Sequence, residues 1–303
     1  MMSAMSAAGD PAAVFGVRDL RRDACSVALH QRVDARVLDH RGRVEMPAYA
    51  AMAESVSSGI YWYSFDEPVA TVQAWLAMTA GAPARVGDDL RAVSELSHRD
   101  DTYGTAALTV TNAAGAAVCT GVARDVRVGR TTEALLALDK DTVAPRPVVP
   151  PPPSAAPDAI DPGWDGGRIL AAIAHGDIAP GPLSELLSLR LTLSEAGPVL
   201  EVTPPPWMAN PLGAVQGGVI ASLIGQACSL AGQLHTGPGD DYTMADLSIH
   251  YFRSPTVDGR PLTMTTHAER VGRRLATVSA TMSDPAGTVY ARAVADIAYR
   301  RAS

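Results

Sequence analysis

A chain of 303 residues with 47% apolar content can build one large core or two ordinary ones, and its length favours two. A formal net charge of −7 speaks against non-specific nucleic-acid binding. Cys25, Cys119 and Cys228 are odd in number and carry no CxxC spacing, so they read as reduced, buried small hydrophobes of a cytosolic protein.

The first ten residues lack the basic and apolar regions of a signal peptide, and Gln226 and Gln233 interrupt the apolar stretch after Gly217. The expectation is a soluble, cytoplasmic protein with no membrane span. In chain order, two β-rich segments lead to an Ala-rich helix from about Ala48 to Tyr63. About four strands follow. One of them begins near Gly104, turns at Ala114 and Gly115, and returns from Ala117 to Val126. Residues 139–167 are dominated by Pro and Ala, including Pro150 to Pro153, and read as a stiff linker. Beyond it the pattern recurs: a helix from about Gly218 to Leu234, the β-rich run Leu247 to Phe252, and a strand from Ala276. That strand turns at Ala286 and Gly287 and returns from Val289 to Tyr299.

The recurrence is a repeat offset by about 171 to 172 residues. Pro83, Gly87 and Leu90 keep the mutual spacing of Pro255, Gly259 and Leu262, and the stretch from Gly104 to Gly115 matches Ala276 to Gly287. The domain reading is therefore 1–138, a linker over 139–167, and 168–303. One long apolar helix amid consecutive strands implies an α+β class, with an antiparallel sheet wrapped round each helix.

The tract from Asn210 to Gly225 carries the chemistry. A polar loop, the pair Gly217 and Gly218 and an apolar helix make an oxyanion-binding helix N-terminus. The tract resembles the signature of PaaI-like acyl-CoA thioesterases of the hot-dog fold, roughly N-x-x-G-x-x-H-G-G followed by an acid on the helix. It departs twice: Gln216 stands where that family has His, and Gly225 where it has its acid. With the repeat, the resemblance implies a double hot-dog chain whose sites form between the two units.

In relatives the loop comes from one unit and the acid from the helix of its partner. Laying Val44 on Val215 puts Glu54 at the acid position, Asp39 opposite Asn210, Glu45 opposite Gln216 and Met46 opposite Gly217. Pro47 removes one backbone donor outright. The resemblance thus implies one composite site of Asn210, Gln216 and Gly217 with Glu54, and a degenerate one of Asp39, Glu45 and Met46 with Gly225. In the first, Gly217 would hold the oxyanion and Glu54 would serve as general base or nucleophile. Ser58, one turn later, would orient water or carboxylate, and Asn210 or Gln216 would bond the water or the thioester. Their plainer alternatives are packing for Ser58, a solvated Glu54 and a Gln216 that only ties down its loop.

For the coenzyme, the expected contacts are Gly218, Arg253, Arg273 and Arg274, with Asp100 and Asp101 repelling phosphate at the corresponding turn of the first half. A solvated turn is the alternative for these arginines. The chain has no GxSxG, GxxxxGK[ST] or strand-linked GxGxxG motif, and its histidines show no HxxxH spacing, so no metal is expected. His40 and His250 can approach the cleft, while Met52, Tyr61, Trp62, Ile220 and Leu223 are candidates to line an acyl pocket. The expected function is hydrolysis of acyl-CoA to a carboxylate and free CoA. CoA enters only as part of the substrate, with no cofactor, nucleic acid or membrane partner, and homo-oligomers can form through a sheet edge or helix face. The alternative is a catalytically inactive acyl-CoA or acyl-carrier binding protein, which would turn Glu54 to solvent. A hot-dog hydratase would need an Asp–His pair that the sequence lacks.

Overall fold

The computed structural model describes residues 11–23, 25–67, 69–129, 157–210 and 212–302. The first half opens with one helical turn, α1 (Pro11–Val14), and a hairpin of β1 (Val17–Arg22) and β2 (Ser26–Arg32). The long helix α2 (Ala50–Tyr63) follows, then β3 (Ala70–Ala80), β4 (Asp89–Arg99), β5 (Tyr103–Thr111) and β6 (Ala117–Val128). The second half begins with α3 (Gly166–His175) and α4 (Pro182–Leu186), continues with β7 (Arg190–Ser194) and β8 (Gly197–Val202), and reaches the long helix α5 (Gly217–Gln233). Strands β9 (Asp241–Met244), β10 (Asp246–Tyr251), β11 (Leu262–Val271), β12 (Leu275–Ser283) and β13 (Val289–Arg300) complete it.

The strands form one antiparallel sheet in the order β1-β2-β4-β5-β6-β3-β10-β13-β12-β11-β8-β7, with β9 paired to β13. The order within one half is the mirror of the other, and the halves join where β3 pairs β10. There Trp75 lies opposite His250, and its indole N–H donates to Ser248 Oγ at 3.0 Å. Each half wraps its sheet round a long helix, which is the double hot-dog arrangement. Helices α2 and α5 lie inside, packed on one another, and one apolar core runs through both halves. This explains why neither helix has a polar face: each is covered by sheet on one side and by its twin on the other.

Local geometry repeats as well. Gly115 and Gly287 sit at φ +80° and +82°, each donating its N–H back to the carbonyl of Asn112 or Asp284. A left-handed residue closes the turn at both places, so Gly recurs there. The sequence reading did not foresee α3, although Asp165 caps it and Gly176 ends it in the left-handed region. Its buried Ile169, Leu170 and Ile173 cover α5 and β7. The expected linker lies mostly outside the described residues; of its end, residues 157–165 carry no helix or strand. Cys119 and Cys228 are buried as expected, but Cys25 is exposed, because it sits in the β1–β2 turn, its N–H bonded to Asp23 Oδ1, rather than in the core. No helix among the described residues is long and apolar enough to cross a membrane.

Candidate active site

Two loops of matching geometry lead into the long helices. In the second half, Asn210 Oδ1 accepts the N–H groups of Leu212 and Ala214 at 2.9 and 3.2 Å. In the first half, Asp39 Oδ1 accepts those of Arg41 and Arg43 at 2.8 and 2.9 Å. The structure thus sets Asp39 opposite Asn210. It also gives Asn210 a local task, folding the loop that presents Gln216, and no hydrogen bond among the described residues joins its side chain to Glu54.

The two helix N-termini pass each other closely. A Cβ on Gly218 would lie 2.5 Å from Ala51 Cα, and one on Gly217 would lie 2.5 Å from Glu54 Oε1. At Gly218, where the obstacle is backbone, only glycine admits this approach, which carries the Glu54 carboxylate to the positive end of α5. Gln216 Nε2 donates to Glu54 Oε2 at 2.6 Å and to Ser55 Oγ at 3.1 Å. The other end of the same amide caps α5, with Oε1 accepting the Val219 N–H at 3.0 Å. Gln216 therefore ties its own helix to the acid of the other half. The Ser55 hydroxyl also donates to Glu54 Oε2, at 3.4 Å, and the nearby Gly218 N–H and Ser58 hydroxyl favour the ionised carboxylate. Burial nevertheless outweighs these donors and pushes the Glu54 pKa up to about 7. The structure brings together Glu54, Ser58, Gln216, Gly217 and Gly218.

Three further side chains with buried polar atoms, missed by the sequence reading, gather one helical turn from Glu54, tied to α2 through Ser57. Asp125 on β6 is buried with neither carboxylate oxygen bonded. Burial first, and then the Glu54 charge, holds its pKa well above the usual carboxylate range. Gln73 lies directly across from it on β3, its Nε2 donating to Ser57 Oγ at 2.9 Å. Tyr251, from β10 of the other half, has its hydroxyl buried without a partner, and burial first, then nearby negative charge, raises its pKa. A signal for Asp125 was readable: it falls in phase with the buried Ala123 on the expected strand Ala117 to Val126.

The related position on the other side is filled by protein. Pro47 Cγ would meet a Cβ on Gly225 at 3.1 Å, and Ser222 Oγ donates to the Pro47 carbonyl at 2.8 Å. Arg41 occupies the adjoining space, its guanidinium 3.4 Å from the centre of the Tyr242 ring. It pairs with Asp39 at 2.6 Å, Glu45 at 3.2 Å and Asp241 at 3.3 Å. Glu45 also accepts the Met244 N–H at 3.1 Å, so the residue opposite Gln216 is fully engaged in structure.

Residues 212–291 match the family model described as Thioesterase superfamily. The whole-chain fold is similar to a hot-dog-fold protein of unknown function from Alicyclobacillus acidocaldarius (15% identity, TM-score 0.58, covering 96% of this chain and 99% of that one). It is also similar to a tesB protein of Mycobacterium avium subs paratuberculosis (9% identity, TM-score 0.57, 96% and 98% covered). An acyl-CoA thioesterase II from Mycobacterium marinum is a third (11% identity, TM-score 0.53, 96% and 98% covered). No curated protein matches the chain.

Other expected residues are dispersed over the fold. Arg253 follows β10 two residues after Tyr251, beside the Gln216 loop, where the Val215 N–H bonds the Pro255 carbonyl. Arg273 and Arg274 are instead at the far end of α5. The Tyr299 N–H donates to the Arg274 carbonyl, and the Tyr299 hydroxyl donates to the Gly232 carbonyl. A helix of 17 residues puts about 25 Å between the two ends, so these arginines do not join the Glu54–Gly217 pair. The Asp100 carboxylate accepts the N–H groups of Thr102 and Tyr103 and belongs to its own turn.

His40 is buried against Gln233 on the filled side, and His250 is exposed beside Trp75. Met52, Tyr61, Ile220 and Leu223 are core residues, while Trp62 is partly buried and bonds the Val69 carbonyl. A cavity of about 410 Å³ lined by Arg22, Cys25, Ile60, Tyr63 and Leu96, among others, adjoins the C-terminal end of α2. None of the residues round Glu54 lines it. Among the described residues, no group of three His, Cys, Asp or Glu could hold a metal ion.

Proposed function

We propose that the chain is an acyl-CoA thioesterase, PaaI-like in its second half, with one working site composed from both halves. One observation carries this reading: the Glu54 carboxylate of α2 is buried at the N-terminus of α5 and bonded to Gln216. An inactive binding protein has no use for such an acid, and burying one without purpose costs stability.

In the proposed reaction the thioester carbonyl lies against the N–H of Gly217, where the helix dipole and an unsatisfied donor favour the developing oxyanion. Glu54, with a pKa near 7, takes the proton from water as its oxygen attacks the carbonyl carbon. The tetrahedral intermediate collapses, the C–S bond breaks, and the CoA thiolate leaves and is protonated. Water and the thioester are the only reactants. Gln216 holds the base and Ser58 steadies its carboxylate; both are positioning residues. Arg253 is the candidate contact for a CoA phosphate. The Pro47–Gly225 side carries no helix acid, and Arg41 fills it.

Steady-state hydrolysis of a panel of acyl-CoAs by wild type and Glu54→Ala tests this. A loss of at least about 10²-fold in kcat is expected, the scale of a removed general base. Unchanged activity in the variant removes Glu54 from the mechanism, and a wild type inactive on every acyl-CoA favours the binding protein.

A further inference from the structure

Nine buried side-chain polar atoms among the described residues have no hydrogen-bond partner, and four of them gather beside Glu54. They are Asp125 Oδ1 and Oδ2, Gln73 Oε1 and the Tyr251 hydroxyl. A buried polar atom left unpaired costs about 1–3 kcal/mol, and folded proteins hold few of them. A concentration at one place therefore marks a position that something polar occupies in the working protein.

The placement is fixed from three sides. Gln73 and Asp125 are direct cross-strand partners, and the bond from Gln73 Nε2 to Ser57 turns Oε1 away from the helix hydroxyl. Tyr251 comes from the other half of the sheet, one residue beyond His250, which pairs with Trp75 on β3. Ser57, which Gln73 bonds, lies one helical turn after Glu54 and its hydroxyl reaches the Glu54 carbonyl oxygen at 3.1 Å, so the cluster adjoins the acid.

The chemistry of the four atoms narrows the occupant. Gln73 Oε1 only accepts, whereas a neutral carboxyl and a phenol each donate and accept. An anionic group would meet the Glu54 charge, and a plain alkyl chain would leave all four atoms unpaired. A hydroxyl, with one donor and two lone pairs, pairs three of the four: it donates to Gln73 Oε1 and accepts from the Asp125 carboxyl and the Tyr251 phenol. Because the cluster adjoins Glu54, and so the thioester carbon that the water activated by Glu54 attacks, the hydroxyl falls close to the carbonyl, on the second or third carbon of the acyl chain.

We propose that the substrate is a 2- or 3-hydroxyacyl thioester, its hydroxyl bound by Asp125, Gln73 and Tyr251. This rests on the thioesterase reading above. A site built to bond a hydroxyl rejects the analogue lacking it, because its own polar groups then stay unpaired.

The test compares hexanoyl-CoA with its 2-hydroxy and 3-hydroxy derivatives. One arm measures kcat/KM, and the other measures Kd for the matching non-hydrolysable thioether analogues by calorimetry. Wild type, Tyr251→Phe and Asp125→Leu are used. The expected result is a preference of at least about tenfold for one hydroxylated form in wild type, falling to within about threefold in both variants. A wild-type ratio within about threefold means that water alone fills the position, and overturns the proposal. A preference that survives both variants overturns it too. If no compound is hydrolysed, the thioesterase reading fails, and the calorimetric ratio still decides the hydroxyl site.

Discussion

Replacing Glu54 with Gln is expected to stabilise the fold at alkaline pH while abolishing hydrolysis. Burial raises the Glu54 pKa from 4.5 to about 7 in the folded chain. Between those values the unfolded chain has released the proton and the native one still holds it. Stability from this group is therefore intact below about pH 4.5, falls as pH rises, and is lost above about pH 7. At 1.36 kcal/mol per unit, the ionised Glu54 costs about 3 kcal/mol at pH 8 and under about 1 kcal/mol at pH 5. Gln does not titrate, and its carbonyl can still accept from Gln216 Nε2. Urea unfolding of wild type and Glu54→Gln at both pH values measures the difference. A gain near about 3 kcal/mol at pH 8 that shrinks by most of its size at pH 5 is expected. A variant less stable than wild type at pH 8, or a gain equal at both pH values, refutes the claim that a strained buried carboxylate sits here.

Three further outcomes follow from the same geometry. The three atoms nearest a Cβ on Gly217 all belong to the flexible Glu54 side chain, whereas one on Gly218 meets Ala51 backbone atoms at 2.5 and 2.9 Å. Gly217→Ala should thus lower kcat at least about tenfold with stability within about 1 kcal/mol of wild type, and Gly218→Ala should cost about 1–3 kcal/mol by denaturant titration. Arg41→Met strands the buried carboxylates of Asp39 and Glu45 and should cost about 3–5 kcal/mol, with kcat of the folded fraction unchanged. In a pH series, kcat/KM should rise with pH through about 7 and level off above it, as a base that must lose its proton requires.

The repeat made much of the fold legible, since equal spacings of Gly, Pro and Leu in two halves signify one topology used twice. The same counting named Glu54 and Gln216 as partners across the halves, and they lie 2.6 Å apart. Legibility ended where pairing between distant strands decides position. Asp125 and Tyr251 come near one another only because β6, β3 and β10 are neighbours in the sheet. The plug of Arg41 against Tyr242 likewise joins residues from separate halves. Arg273 and Arg274 misled for a related reason: a basic turn beside a strand does not say which end of the helix the turn adjoins. Asn210 was read through its counterparts in relatives, while its own N-x-x-G context already described a side chain folding a tight loop.

The central claim is that one site per chain is assembled from the acid of α2 and the N-terminus of α5. A crystal structure with a non-hydrolysable acyl-CoA analogue tests it most directly. The account predicts one bound molecule per chain, its carbonyl oxygen within about 3 Å of the Gly217 nitrogen and its carbonyl carbon beside the Glu54 carboxylate. A molecule seated at the Pro47–Gly225 contact, or two molecules on one chain, would contradict it.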